Sequence, residues 1–563
     1  MNLKYCDKKR RLYFISNESG MHQLWEMDIA DQKKRKVTSF SQNTKNFWIE
    51  ANHIVVATDY NGNERNQYHK LDSRIATEIT SRPDYFHYYG KYKVGEDSYI
   101  VIRNHYEHST FELCKMEGQG NIEVIYVFSN PIHFIHELST DRYLLSMDVD
   151  NIDQILMIFD KKSGEPVVLP LPKARFSAFK FIRDTCFCLC DIEDGYKNIY
   201  EIDINNGRYK KRTFFKWDIE HFKLFNDNKE AMISCNEDGF SKLYRLNLTT
   251  WEVVQLPFNR EGVIHSLAIR GQQEVFLIYS SVDQPHLIYC YDLDQKSFKV
   301  MAGNEACEPI SFKTASYPSF DGTQIPYFIY ESESDMGAVI HIHGGPESQS
   351  RPEFNTLYYL LNKTGLCVAV PNIRGSMGYG RPYLEADDKE KRLDAMKDVV
   401  ELRRHLIKTE HADASRVSVM GRSYGGLMTL LLVTHQPSLW RAAVDIVGLS
   451  DLGTFFSHTP PWRRRMRAAE YGSMETHGSF LKDISPLSRS RQITAPLMIF
   501  HSHHDSRVPY TESKQMAEVM EENGQDVTFT VYDNEGHTFM HRENLEDMHH
   551  KIANFLTTLH EKK

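Results

Sequence analysis

A repeat with a period near 44 residues constrains residues 1–310 more tightly than any other feature of the chain. The segments LWEMD, QYHKLD, ELCKM, ILMIFD, IYEID, LYRLN and LIYCYD align on Trp25, Tyr68, Leu113, Leu156, Tyr200, Tyr244 and Ile288. These anchors stand 43, 45, 43, 44, 44 and 44 residues apart. A short apolar run and a polar turn precede most of them, as in LYFISNESG (12–20) and IVVATDYNG (54–62). Connections such as Asn205-Asn206-Gly207 follow, where asparagine and glycine supply the positive φ of a hairpin. Seven strand–turn–strand units in register predict a seven-bladed β-propeller. A pair of β-sandwiches would not keep so even a spacing.

Beyond Ser311 the pattern changes. AVIHIH (338–343), LCVAVPN (366–372), VSVMG (417–421), AAVDIVG (442–448), APLMIFHS (495–502) and VTFTVYD (527–533) are near-continuous apolar runs. Such runs suit strands buried on both faces of a parallel sheet. Helical periodicity separates them, clearest over 394–409, 511–523 and 544–561. Alternating strands and helices predict an α/β domain over 311–563.

Gly421-Arg422-Ser423-Tyr424-Gly425 stands between one of these strands and an apolar helix, the context in which G-x-S-x-G forms a nucleophile elbow. Ser423 is the candidate nucleophile, and the Tyr424 N–H can stabilise an oxyanion. A serine hydroxyl needs a base to take its proton, and the base needs an acid to orient it. In an α/β-hydrolase sheet they follow in the order Ser, Asp, His. Asp505 follows the strand APLMIFHS, 82 residues after Ser423, and His537 follows the next strand, 32 residues later. Both fall at the carboxyl edge of the sheet, as Ser423 does. His343-Gly344-Gly345-Pro346 closes another strand, and Gly345 is the candidate for the second oxyanion donor.

Several function classes are excluded. Lys+Arg 67 against Asp+Glu 76 leaves a net charge of −9, a poor field for a phosphate backbone, so nucleic acid is not an expected partner. No apolar run approaches the ~20 residues that span a bilayer, and MNLKYCDKKRRLYF lacks an apolar segment of signal-peptide type. Cys186, Cys188 and Cys190 alternate along one strand, where i, i+2 neighbours do not pair, so reduced buried thiols in a cytoplasmic protein are expected. His537 and His541 have i, i+4 spacing without H-E-x-x-H, so no metal is expected, and no organic cofactor is needed. The glycines of Asn372–Gly380 do not fit a dinucleotide motif, and that loop is expected beside the active site.

A seven-bladed propeller followed by HGGP, GRSYGG, HSHHDSRVP and NEGH resembles the prolyl oligopeptidase family of serine peptidases. Acylaminoacyl-peptidase-like members are the nearest branch, since they carry HGGP where other branches place tyrosine. The resemblance implies an α/β-hydrolase domain with Ser423, Asp505 and His537 as triad and the amides of Gly345 and Tyr424 as oxyanion hole. It also implies short peptide substrates and a propeller that filters them by size. Arg507, two residues after the acid, is implied to bind a substrate carbonyl. Phe455, Phe456 and Trp462 fall where the family builds the wall of its specificity pocket, whereas Arg463, Arg464, Arg465 and Arg467 read as a solvated helix face. Two departures stand out. HSHHD lacks the glycine that relatives carry after the first histidine, and no paired-glutamate motif of the dipeptidyl-peptidase branch is found. A carboxylesterase with the same triad and a binding propeller with an inactive hydrolase remain alternatives, and association into a homo-oligomer stays open.

Overall fold

The computed structural model describes residues 2–562 apart from 73, 74, 81, 118–120, 259, 333 and 335. Residues 3–303 form seven four-stranded antiparallel sheets, each built from strands contiguous in sequence. This is the seven-bladed β-propeller, and every repeat anchor falls on the third strand of its blade. Trp25 lies in Gln23–Asp28, Tyr200 in Asn198–Ile202 and Ile288 in Leu287–Asp292. The period is legible because inner strands are buried on both faces and so are strongly apolar. Ile54–Thr58 is buried throughout, whereas the outermost strands Lys34–Lys36 and Ile75–Glu78 are exposed.

The ring closes by apolar packing: Leu12, Phe14 and Met27 of the first blade join Ala268, Phe276 and Ile278 of the last in one cluster. Leu3 N–H adds a hydrogen bond to Ser266 Oγ at 3.2 Å. Cys186, Cys188 and Cys190 are buried free thiols in a blade core, and burial pushes the Cys186 thiol up to about 12.

The last blade ends at Gly303 and an eight-stranded sheet begins at Ser311. Its order is Ser311–Pro318, Gln324–Glu331, Cys367–Pro371, Ala338–Ile342, Val417–Arg422, Ala443–Ile446, Leu497–Ser502 and Val527–Tyr532. From Cys367–Pro371 onward neighbours run parallel, while the first two strands are antiparallel additions. Successive residues of a strand face opposite cores. Ile340 joins the helices Arg392–Lys408 and Tyr424–His435, whereas Val339 joins Thr356–Lys363 and Arg542–Glu561. This is the α/β-hydrolase architecture. Among the described residues no helix is long and apolar enough to cross a membrane.

Candidate active site

Strand Val417–Arg422 runs into helix Tyr424–His435, and Ser423 between them is held at φ 57°, ψ −117°. An L-residue in such a conformation costs about 1–3 kcal/mol. The flanking glycines make the turn possible. A Cβ on Gly421 would collide with the Gly425 backbone, and one on Gly425 with the carbonyls of Ile342 and His343. The turn is thus pressed, backbone against backbone, onto the neighbouring strand. Ser423 sits at the N-terminus of a buried helix, where the first-turn N–H groups have no intrahelical acceptor.

The loops after the last two strands, Leu497–Ser502 and Val527–Tyr532, bring the partners in. His537 Nδ1 lies 2.7 Å from Asp505 Oδ2, and His537 Nε2 lies 3.0 Å from Ser423 Oγ. With Nδ1–H donating to the carboxylate, the Nε2 lone pair faces the serine hydroxyl. Asp505 Oδ1 accepts the N–H groups of Arg507 and Val508 at 2.8 and 2.9 Å. Burial would raise the Asp505 carboxyl, but His537 and these contacts hold it below the usual carboxylate value. Burial lowers the His537 imidazole, with Asp505 opposing. His501 is 3.5 Å from Asp505 Oδ2, and its ring nitrogens meet Ser513 Oγ and the Val508 carbonyl. It supports the acid loop.

Opposite the elbow lies the His343–Pro346 loop. A Cβ on Gly344 would sit 3.4 Å from Ser423 Cβ, so this backbone passes directly over the nucleophile. Gly345 has φ +124°, and a Cβ there would crowd the Glu347 and Ser348 amides. Behind the loop, His343 Nε2 meets Ser376 Oγ at 2.7 Å, so Asn372–Gly380 buttresses it. The buried Tyr424 ring points away from the reaction centre, its hydroxyl donating to Asp387 at 2.7 Å. Arg392, itself buried, joins Asp387 to Glu470 at 3.1 and 3.2 Å.

The propeller completes the site through one turn, 59–65. Gly62 and Gly536 meet backbone to backbone, and a Cβ on either would collide with the other. Glu64 reaches across to accept from Arg507 (2.6 and 2.7 Å), Arg463 (2.9 Å) and Ser506 Oγ (2.9 Å). Burial would raise the Glu64 carboxyl, yet the two guanidinium groups hold it well below the carboxylate range. Arg507 is thereby fixed at the wall of an interdomain cavity of about 430 Å³, which Asn151, Glu347, Trp462 and Arg467 also line. Sequence reasoning missed Glu64 and Gly62; the polar DYNGNER turn looks like any other hairpin connection. It also missed Arg422, whose side chain bonds the His537 carbonyl.

Two expectations change. Phe455 and Phe456, each 2% exposed, belong to the hydrophobic core with Leu452 and Tyr471 and do not line this cavity. Trp462 does line it, wedged edge-on against Phe86 and Phe111 of the propeller. The arginine run is only partly a solvated face, with Arg464 and Arg465 exposed. Arg463 reaches Glu64, Arg465 bonds the Ser109 and Ser129 carbonyls, and Arg467 faces Glu470, leaving Arg464 exposed without such a contact described. Helix Pro461–Tyr471 lies between the domains, so charges that periodicity assigns to water meet the propeller instead.

Residues 352–563 match the model described as the prolyl oligopeptidase family. Dipeptidyl aminopeptidase BIII of Pseudoxanthomonas mexicana is 32% identical over 219 residues, 38% of this chain and 32% of that protein. The acylamino-acid-releasing enzyme of Arabidopsis thaliana is 28% identical over 356 residues, 55% of this chain and 46% of that protein. The matches thus span about a third to a half of these curated relatives. Among solved structures, a Mycobacterium tuberculosis puromycin-hydrolyzing peptidase superposes with a TM-score of 0.87 at 14% identity, covering 99% of this chain and 94% of that one. The Pyrococcus horikoshii acylaminoacyl peptidase gives 0.71 at 17% identity, covering 100% and 95%. At these identities the likeness concerns the fold.

Proposed function

We propose that this chain, whose residues 352–563 match the prolyl oligopeptidase family of serine peptidases, hydrolyses short peptides through an acyl-enzyme formed by Ser423, His537 and Asp505. One observation carries the reading: a strained, helix-capping serine within 3.0 Å of an imidazole whose far nitrogen meets a buried carboxylate at 2.7 Å. Ser423 Oγ attacks the peptide carbonyl while His537 Nε2 takes its proton. The resulting oxyanion is met by the Tyr424 N–H at the helix start and by the Gly345 amide of the facing loop. His537 then gives the proton to the leaving amine, and Asp505 holds the imidazole in the required tautomer throughout. Water, activated by the same imidazole, releases the acyl group.

Arg507, held by Glu64 at the cavity wall, is placed to donate to a substrate carbonyl or carboxylate. The propeller covers this cavity and admits short chains. The acylaminoacyl-peptidase type is the finer reading, supported by the HGGP loop and by the sequence likeness to an acylamino-acid-releasing enzyme. Pairing one short peptide with its N-acetylated twin, each given to the wild type and to Ser423→Ala, tests it by mass spectrometry. Release of the acetylated first residue alone is expected, with the Ser423→Ala rate lower by about 10⁶. Internal cleavage of both peptides would make it a broader oligopeptidase. Cleavage of neither, with Ser423-dependent hydrolysis of a nitrophenyl ester, would replace the peptidase with an esterase.

A further inference from the structure

Away from the triad, three metal-ligating side chains converge where the last blade meets the catalytic domain. His265 lies on Val263–Arg270, the axis-side strand of that blade, and His286 immediately precedes its strand Leu287–Asp292. Glu353 comes from the other domain, three residues ahead of helix Thr356–Lys363. One ligand atom from each lies within 4.8 Å of the other two. Ligands of a tetrahedral zinc ion sit roughly 3.3 Å apart for bonds of 2.0–2.1 Å. Movements of an ångström or so in these partly buried side chains close that difference.

The polar atoms in the cluster are poorly matched to one another. His265 Nε2 lies 3.1 Å from Glu353 Oε2 without the alignment of a hydrogen bond. His286 Nε2 is likewise buried with no hydrogen-bond partner, and the two rings stand 4.6 Å apart at 57°, neither stacked nor bonded. Buried nitrogens are ordinarily paired, so the unpartnered His286 nitrogen, beside a His265–Glu353 pair that lacks hydrogen-bond alignment, calls for a shared partner. The surroundings suit a cation. Arg351, the neighbouring positive charge, is already paired with Glu220 at 2.7 Å. The backbone beside Glu353 is pinned to the same blade, with Phe354 N–H donating to Ser280 Oγ at 2.9 Å.

We propose that His265, His286 and Glu353 bind a divalent transition metal, zinc fitting best, which clasps the propeller to the catalytic domain. Two imidazoles and one carboxylate suit zinc over calcium or magnesium, which take oxygen ligands, and three protein ligands leave a position for water. Spacings of 21 and 67 residues hide the set from motif reading, because no local element carries two of its members. The ion ties the two domains together on a face distinct from the Gly62–Gly536 contact.

The test uses the full chain, stripped with a chelator and titrated with zinc chloride, with cobalt as an optical probe. Wild type is expected to hold one zinc per chain, to unfold at higher temperature with the metal, and to show visible cobalt absorption bands of low-coordinate geometry. His286→Ala and Glu353→Gln should each weaken zinc binding by about 100-fold or more, since residues merely behind a ligand cost 10–100-fold, and should lose the cobalt bands. A wild type that retains no zinc equivalent overturns the proposal, whatever the variants do. Variants that bind zinc as tightly as wild type overturn it too, by moving the ion elsewhere.

Discussion

His537 can accept the Ser423 proton only while unprotonated, so the acid side of the pH–rate profile reports its ionisation. Burial draws that ionisation below the usual histidine value, and the Asp505 charge opposes the shift without cancelling it. The rate should therefore persist as pH falls through about 6.5, with the acid-limb midpoint of kcat/KM below that value; a midpoint at or above it would contradict the assignment. Asp505→Asn removes the opposing charge, so the midpoint should move lower still while kcat drops by about 10⁴. At this scale the candidate triad was legible, because a strand-to-helix serine with Asp and His after later strands is a local pattern repeated in order. Glu64 was not, since an acidic residue in a polar turn acquires meaning only from Arg463 and Arg507, some 400 residues away.

The elbow shows how an element is specified by what it touches. Gly425 is helical, where alanine would ordinarily be favoured, yet its Cβ would enter the Ile342 and His343 carbonyls. Gly425→Ala is expected to lower stability by about 1–3 kcal/mol in denaturant titration and to slow labelling of Ser423 by a fluorophosphonate; unchanged labelling would show that the strand contact does not set the turn. Five of the six apolar strands were readable because burial on both faces leaves little polar alternation to interrupt them, while the sixth, Val527–Tyr532, is a partly buried edge strand. Ser311–Pro318 escaped notice for the opposite reason. It is an edge strand whose residues are mostly exposed, and SFKTASYP carries little apolar signal. Phe455 and Phe456 pack in the core, and the sequence could not show this because an aromatic side chain in a helix serves a core or a pocket equally well until its neighbours are known.

For the whole molecule, the proposed mechanism makes the propeller a support for the candidate histidine loop. The Gly62–Gly536 contact places a blade turn against the residue preceding His537. Gly62→Ala, strained at φ +77° and obstructed by Gly536, should push the histidine loop off its position. A displacement near 1 Å costs about 10² in rate, so kcat on a small peptide should fall by about that factor while both domains stay folded by circular dichroism; an unchanged kcat would leave the propeller a passive filter. The chain by itself determined the propeller and the α/β domain, the seven blades, the central strands and the order of the candidate serine, acid and histidine. Each of these rests on periodicity, burial pattern or local turn chemistry, which act over tens of residues. Only the tertiary structure decided that Glu64 holds Arg507, that the arginine helix faces the propeller, and that His265, His286 and Glu353 meet. Those contacts depend on how the ring of blades docks on the sheet, and interactions between surfaces so distant in sequence leave no periodic trace along it.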